Sequence, residues 1–322
     1  MFIIEVFTNP ALISLVIGLV IGFLRLFEIP TRISYYAALY LVFSIGLKGG
    51  ICLGTAGDNI PLFGLLSLIG IILGTAQPFA YNWLLKKTTD LDPQTAIVIA
   101  TQYGSISIVT FLTALTFVQR QSINFDNFMP AIAAIMELPA IISGLALLRS
   151  LHIQDELSTI NMIKKSIRTI LLNKKISFLF IGFVAGYLLH NNSGSTIITY
   201  IFLPFTAILS LFMVDMGIKI MQQRSYIHQC TWQVLAFGIY TPVICGTLGI
   251  AISYLIGTSI GTAVLFATLL ASASYIAVPA VMNSQAPQAK EVVYMPLALA
   301  ITLPFNIIIG IPFFYAIATC IL

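Results

Sequence analysis

The chain has 322 residues, of which 59% are hydrophobic and only 8% charged, against about 25% charged in soluble domains. So few charges cannot cover so much apolar surface in water, which excludes a soluble fold and places the chain in a bilayer. The net charge of +4 asks for no nucleic-acid partner, because the placement of the basic residues along the membrane loops accounts for it.

Runs of about 20 apolar residues cross the hydrocarbon as helices. They fall at 9–27, 33–48, 60–85, 94–118 and 129–149, and again at 176–190, 198–219, 231–256, 261–281 and 291–319. The expectation is an all-α membrane protein of ten transmembrane helices. The first run lacks a basic leader and a small-residue cleavage site, so it reads as a retained helix. Between the two sets lies the polar stretch 150–175, with His152, Asp155, Glu156 and five lysines or arginines. It reads as a cytoplasmic linker that at most touches anionic lipid headgroups. The expected divisions are 1–150, 151–175 and 176–322.

Assigning loops to alternate sides puts thirteen lysines and arginines on one face and only Lys48 and Arg120 on the other. The basic face stays in the cytoplasm, so both termini of this multi-pass protein point outward. Cys52, Cys230, Cys245 and Cys320 have no metal or redox spacing and read as apolar filler. No Gly-rich loop with a Lys is present to grip a nucleotide phosphate. ATP-driven transport is therefore not expected.

The two sets of spans echo each other. Met129-Pro130, Glu137-Leu138-Pro139 and Gly144 are matched by Met295-Pro296, Thr302-Leu303-Pro304 and Gly310, with fifteen positions from Met to Gly in both. Gly46-Leu47-Lys48 is likewise matched by Gly217-Ile218-Lys219. Five spans is an odd number, so a second copy would lie inverted relative to the first, a common plan among secondary transporters.

An unpaired backbone group in hydrocarbon costs several kcal/mol, so interrupted helices survive only where they line a cavity or are buried in protein. Two interruptions stand at matching places. The fourth span carries Thr101-Gln102-Tyr103-Gly104-Ser105-Ile106-Ser107-Ile108-Val109-Thr110, and the ninth carries Ser272-Ala273-Ser274-Tyr275-Ile276-Ala277-Val278-Pro279. Half-helices that begin in mid-membrane offer amide groups to an anion, and those that end there offer carbonyls to a hard cation. Ionisable groups inside spans are seldom kept without a role. Glu137 is the deepest, and reads as a cation or proton site. Thr302 occupies its place in the second half, with Asn306 one turn on. Asp215 and Lys219, four apart, read as a pair near the cytoplasmic interface, and Lys48 as a side chain that snorkels outward. His190 and His228 fall at span ends and read as interfacial.

The run Phe43-Ser44-Ile45-Gly46-Leu47-Lys48-Gly49-Gly50, the breaks at Tyr103–Ser107 and Ala271–Ser274, the stretch Met136-Glu137-Leu138-Pro139-Ala140 and the ending Ile311-Pro312-Phe313-Phe314 together resemble the bacterial sodium-dependent bicarbonate transporter family. The resemblance implies two inverted five-helix repeats, gate and core domains with crossing fourth and ninth helices, and a homotrimer in the bacterial cytoplasmic (inner) membrane. It also implies a cytoplasmic regulator resembling the PII signal-transduction proteins. Carried over, Gly104, Ser107 and Thr110 in the first break and Ser272 and Ser274 in the second cradle anion and sodium. This chain departs from the family pattern at Tyr275, Ile108 and Val109, and has Glu137 where the family has Asp.

The breaks and the resemblance together nominate Gly104, Ser105, Ser107, Ser272, Ser274 and Tyr275 as anion contacts. Thr101, Thr110, Glu137, Thr302 and Asn306 are nominated as oxygen ligands for Na+, the one metal expected. The expected function is sodium-coupled uptake of a small anion, bicarbonate first, and not catalysis. Alternatives are a proton- or sodium-coupled carrier or exchanger of another small anion or carboxylate, and, further off, a channel or membrane sensor. A channel would show a continuous polar stripe, and a sensor a large soluble region; neither is visible.

Overall fold

A computed structural model describes residues 10–54, 59–151, 174–192 and 196–322, and among these every regular element is helical. They are α1 (Pro10–Leu24), α2 (Thr31–Gly54), α3 (Ile60–Thr88), α4 (Pro93–Gly104), α5 (Ile108–Arg120), α6 (Met129–Ser150), α7 (Lys174–Leu188), α8 (Thr196–Phe202), α9 (Phe205–Gln223), α10 (Trp232–Ile256), α11 (Ile260–Ala271), α12 (Ala277–Gln285) and α13 (Glu291–Ile321). Seven helical stretches, counting α4 with α5 and α8 with α9, are long and apolar enough to cross a membrane. Three shorter apolar helices stand beside them, Leu12–Leu24, Ser177–Leu188 and Ile260–Ala271. The linker acids Asp155 and Glu156, with His152, lie outside the described residues.

Local chemistry sets the helix ends. Asp92 caps α4 by accepting from the Thr95 amide at 2.9 Å, with Pro93 at the first helical position, where its missing amide costs nothing. Ser259 caps α11 in the same way, accepting from the Thr262 amide at 3.4 Å. Gly257, at φ 76°, ends α10 in the left-handed conformation that a side chain disfavours.

The structure differs from the sequence reading in two spans. The expected helix 198–219 is divided at Leu203-Pro204 into α8 and α9, because Pro204 has no amide to continue the hydrogen-bond ladder. The last span is continuous but carries two π-helical stretches, Leu297–Thr302 and Asn306–Gly310. These wide turns bracket Pro304, which has no amide to continue the ordinary ladder.

Two helix pairs meet with almost no side chain between them. In the α2–α7 pair a Cβ on Gly46 would lie 2.2 Å from the Leu179 carbonyl oxygen, and one on Gly50 2.0 Å from that of Phe183. Gly182 and Gly186 face Phe43 and Leu47 across the same seam. Both helices therefore carry the small-xxx-small pattern that lets membrane helices approach closely. In the α1–α9 pair Gly217 lies against Leu15, and Gly18 against Val214. Gly46 and Gly217, matched in the sequence echo, thus serve equivalent seams. Elsewhere α3 packs on α4 and α6, and α10 on α11 and α13.

Candidate functional site

The two breaks have the same local construction. Helix α4 ends at Gly104, and Ser105 turns extended at φ −98° and ψ 166°; α11 ends at Ala271, and Ser272 does so at φ −89° and ψ 163°. Two residues later comes a second serine: Ser107 is the N-cap of α5, whereas α12 starts at Ala277 after Ile276, with Ser274 two residues further back. Ser107 accepts from the Thr110 amide at 3.3 Å, and Ser274 from the Val278 amide at 3.3 Å. A Ser-x-Ser unit in each break thus closes one half-helix and bonds a first-turn amide of the next, from the N-cap position in the first break and from two residues before it in the second.

The breaks bind each other directly. The Ser107 amide donates to Ser272 Oγ at 2.8 Å, and the Ser274 amide donates to the Gln102 carbonyl at 2.8 Å. Ser272 Oγ in turn donates to the Leu269 carbonyl at 2.9 Å. Ser105 Oγ donates to the Glu137 carbonyl at 3.3 Å, which joins the first break to α6. Backbone groups freed by the interruptions are in this way paired inside protein, as the absence of water requires.

A cavity of about 30 Å3 sits where the second half-helices begin. One water needs about 10–15 Å3 by this measure, so the space suits a solute of very few atoms. Ser107, Ser274, Tyr275 and Glu137 line it together with Ile108 and Ala277, the first residues of α5 and α12. Two helix starts therefore converge on one cavity, and both present partial positive charge to it. The opposite wall is apolar: Ala38, Leu41 and Val42 from α2, Leu179 from α7 and Phe212 from α9. Glu137, only 3% exposed, supplies the one formal charge among the lining residues.

A profile describing the Na+-dependent bicarbonate transporter superfamily matches residues 10–319. The chain belongs to this superfamily. No curated protein matches it. Membership in the Na+-dependent bicarbonate transporter superfamily makes the chain a multi-pass membrane transporter, in keeping with its long apolar helices.

Against that background the nominated residues fall into three groups. Ser107, Ser274, Tyr275 and Glu137 share the cavity. Ser105 and Ser272 brace the breaks, and Gly104 faces Pro78, whose ring atoms would lie 2.5 Å from a Cβ there. The remaining hydroxyls are placed deeper. Thr101 Oγ1 donates to the Ile97 carbonyl at 2.7 Å, and Thr302 Oγ1 donates to the Gly238 carbonyl at 2.8 Å while also bonding the Tyr103 hydroxyl. Thr110 is buried at the first turn of α5, where Ser107 caps its amide. Asn306 Nδ2 donates to the Ala271 carbonyl at 2.8 Å, while its Oδ1 is buried without a hydrogen-bond partner.

Sequence reasoning did not nominate Gln102, which lies in the first break. Its side chain is fully buried with neither amide atom hydrogen-bonded, an arrangement that is costly unless a ligand completes it. The signal was present, since an amide in mid-span is expensive wherever it lies. The apolar wall from Leu41, Leu179 and Phe212 carried no such signal, because these residues look like any other lipid-compatible side chains.

Proposed function

We propose that the protein takes up a small monovalent anion, bicarbonate first, driven by sodium. The observation that carries this reading is the convergence of two half-helix starts, at Ile108 and Ala277, on a cavity that also holds Glu137. The helix starts attract an anion, and the carboxylate repels it. A cation that neutralises Glu137 removes the repulsion, so each solute favours the binding of the other. That is the thermodynamic content of symport. Gln102, Asn306 and the carbonyls that end α4 and α11 are the oxygen donors expected for sodium, a hard cation.

The full arrangement in this reading has ten transmembrane helices in two inverted repeats. Its support is that α1 lies on α9 as α7 lies on α2, that α4 follows α3 as α11 follows α10, and that the two breaks share their serine construction. Helices α1, α2, α7 and α9 form the gate, and the helices bearing the breaks form the core. Sliding of the core along the apolar wall carries the bound pair from one side to the other.

A second reading is favoured by one observation: Glu137 lies in the cavity itself, where a proton would neutralise it as well as sodium would. Proton coupling is then the alternative. Uptake of labelled bicarbonate into proteoliposomes separates the two. Accumulation that follows a sodium gradient at fixed pH is expected; accumulation that follows a pH gradient without sodium establishes the second reading, and no accumulation under either gradient removes bicarbonate as the substrate.

A further inference from the structure

Two larger cavities lie beyond the inner one, on the face to which the charge distribution assigns the exterior. One, of 590 Å3, is lined by Ser44, Lys48 and Cys52 of α2 and by Phe111, Leu112 and Gln119 of α5, among others. It begins one helical turn from the inner cavity, which α2 and α5 line with Val42 and Val109. The other, of 320 Å3, shares Thr116, Gln119 and Thr206 with the first and adds Arg120. Lys48 and Arg120 are the two basic residues that depart from the positive-inside distribution. Lys48 lines the larger and Arg120 the smaller, and among the described residues no acidic side chain lines either.

The sequence echo sharpens the case for Lys48. Its counterpart, Lys219, is paired with Asp215 one turn earlier at 2.5 Å, and also donates to Ser34 Oγ at 3.0 Å. The position four before Lys48 is Ser44, so the outer lysine has no carboxylate where the inner one has Asp215. One copy is neutralised at the cytoplasmic end, and the other keeps its charge in an outward vestibule.

We propose that Lys48 forms an anion-collecting site in this vestibule, one step outside the inner cavity. It takes the same class of solute, a small monovalent oxyanion, and raises its local concentration before the breaks bind it. The proposal rests on the reading of the protein as an anion carrier. A lysine that merely snorkels to the interface would leave the vestibule potential unchanged.

Cys52 in the same cavity offers a test that needs no transport. In a Cys320→Ser background, reaction of Cys52 with anionic and cationic methanethiosulfonates reports the local potential. Lys48→Gln is expected to lower the anionic-to-cationic rate ratio about tenfold, the scale of local charge focusing. Ser44→Asp, which installs the missing carboxylate, is expected to do the same, and Lys48→Arg to restore the ratio. In uptake assays Lys48→Gln is expected to raise the bicarbonate KM and, because the same field repels cations, to lower the sodium KM, with the maximal rate unchanged. An unaltered reagent ratio in both Lys48→Gln and Ser44→Asp overturns the proposal, whatever the uptake. A shifted ratio that small anions also suppress, in a protein that carries no bicarbonate, upholds the vestibule site and removes bicarbonate alone.

Discussion

The backbone amide of Lys290 donates to the hydroxyl of Thr95 at 2.7 Å. An equivalent clasp stands in the other half, where the Asp126 amide donates to Thr262 Oγ1 at 2.8 Å. Thr95 and Thr262 are each the third residue of an interrupted span, just past the caps Asp92 and Ser259. Each broken span is therefore held twice: by the other break at its middle, and by a distant loop at its start. Gln94 strengthens the first clasp through the Gln288 amide, and Asp126 Oδ2 strengthens the second by accepting from Thr262 Oγ1.

Thr95→Val and Thr262→Val remove these acceptors without changing side-chain volume. Each is expected to destabilise the protein by about 1–2 kcal/mol through an amide left unpaired. Thermal unfolding in detergent checks it, with the double variant additive because the clasps are far apart. An unchanged melting temperature in both single variants would mean that the clasps are incidental.

Glu137→Gln keeps the shape of the side chain and removes its charge. Sodium should then bind more weakly by about tenfold or more, as expected when a carboxylate ligand close to a cation is lost. The half-saturating sodium concentration for uptake is the measurement. Sodium dependence equal to wild type would assign the carboxylate a structural role.

Ser107→Ala removes the cap of α5, and Ser274→Ala the acceptor of a first-turn amide of α12, two half-helices that open onto the cavity. Loss of a cap costs about 1 kcal/mol, and the lost hydroxyl also removes a donor to the anion. Both variants should raise the bicarbonate KM while leaving the sodium KM close to wild type. Equal effects on the two solutes would instead indicate a general loosening of the breaks.

The positions of the breaks were legible because hydroxyls clustered with a Gly or a Pro in mid-span, as at Gly104–Ser107 and Ser272–Pro279, are expensive in an uninterrupted membrane helix. The all-helical membrane fold followed from composition for the same reason. Other features left no such trace. Pro204 divides one span whereas Pro78, Pro139 and Pro242 lie inside continuous helices, and only tertiary packing decides which outcome a proline produces. The carbonyl partners to which the Thr302 and Thr101 hydroxyls donate, a use of Thr common in membrane helices, could not be read from residue type. Lys48 carried a signal as a charge within a span, but its setting in the vestibule depended on which neighbours faced it.

Gly50→Val inserts side-chain atoms where a Cβ already lies 2.0 Å from the Phe183 carbonyl oxygen. The α2–α7 seam must then open, at a cost of about 1–3 kcal/mol or more. A fall in the melting temperature and in the yield of folded protein is expected. Gly64→Val is the control, since nothing lies within 4 Å of a Cβ there, and it should leave stability nearly unchanged.

The glycine seams also limit how the molecule can rearrange. Where main chain rests on main chain, a shift of even one residue drives a bulky side chain into a carbonyl, so α2 with α7 and α1 with α9 are locked in register. The wall of Leu41, Leu179 and Phe212 meets the breaks through rotatable side chains instead, and these can pass one another by changing rotamer. On the proposed reading these are a fixed rail and a sliding surface side by side, and the small residues in the sequence mark the rail.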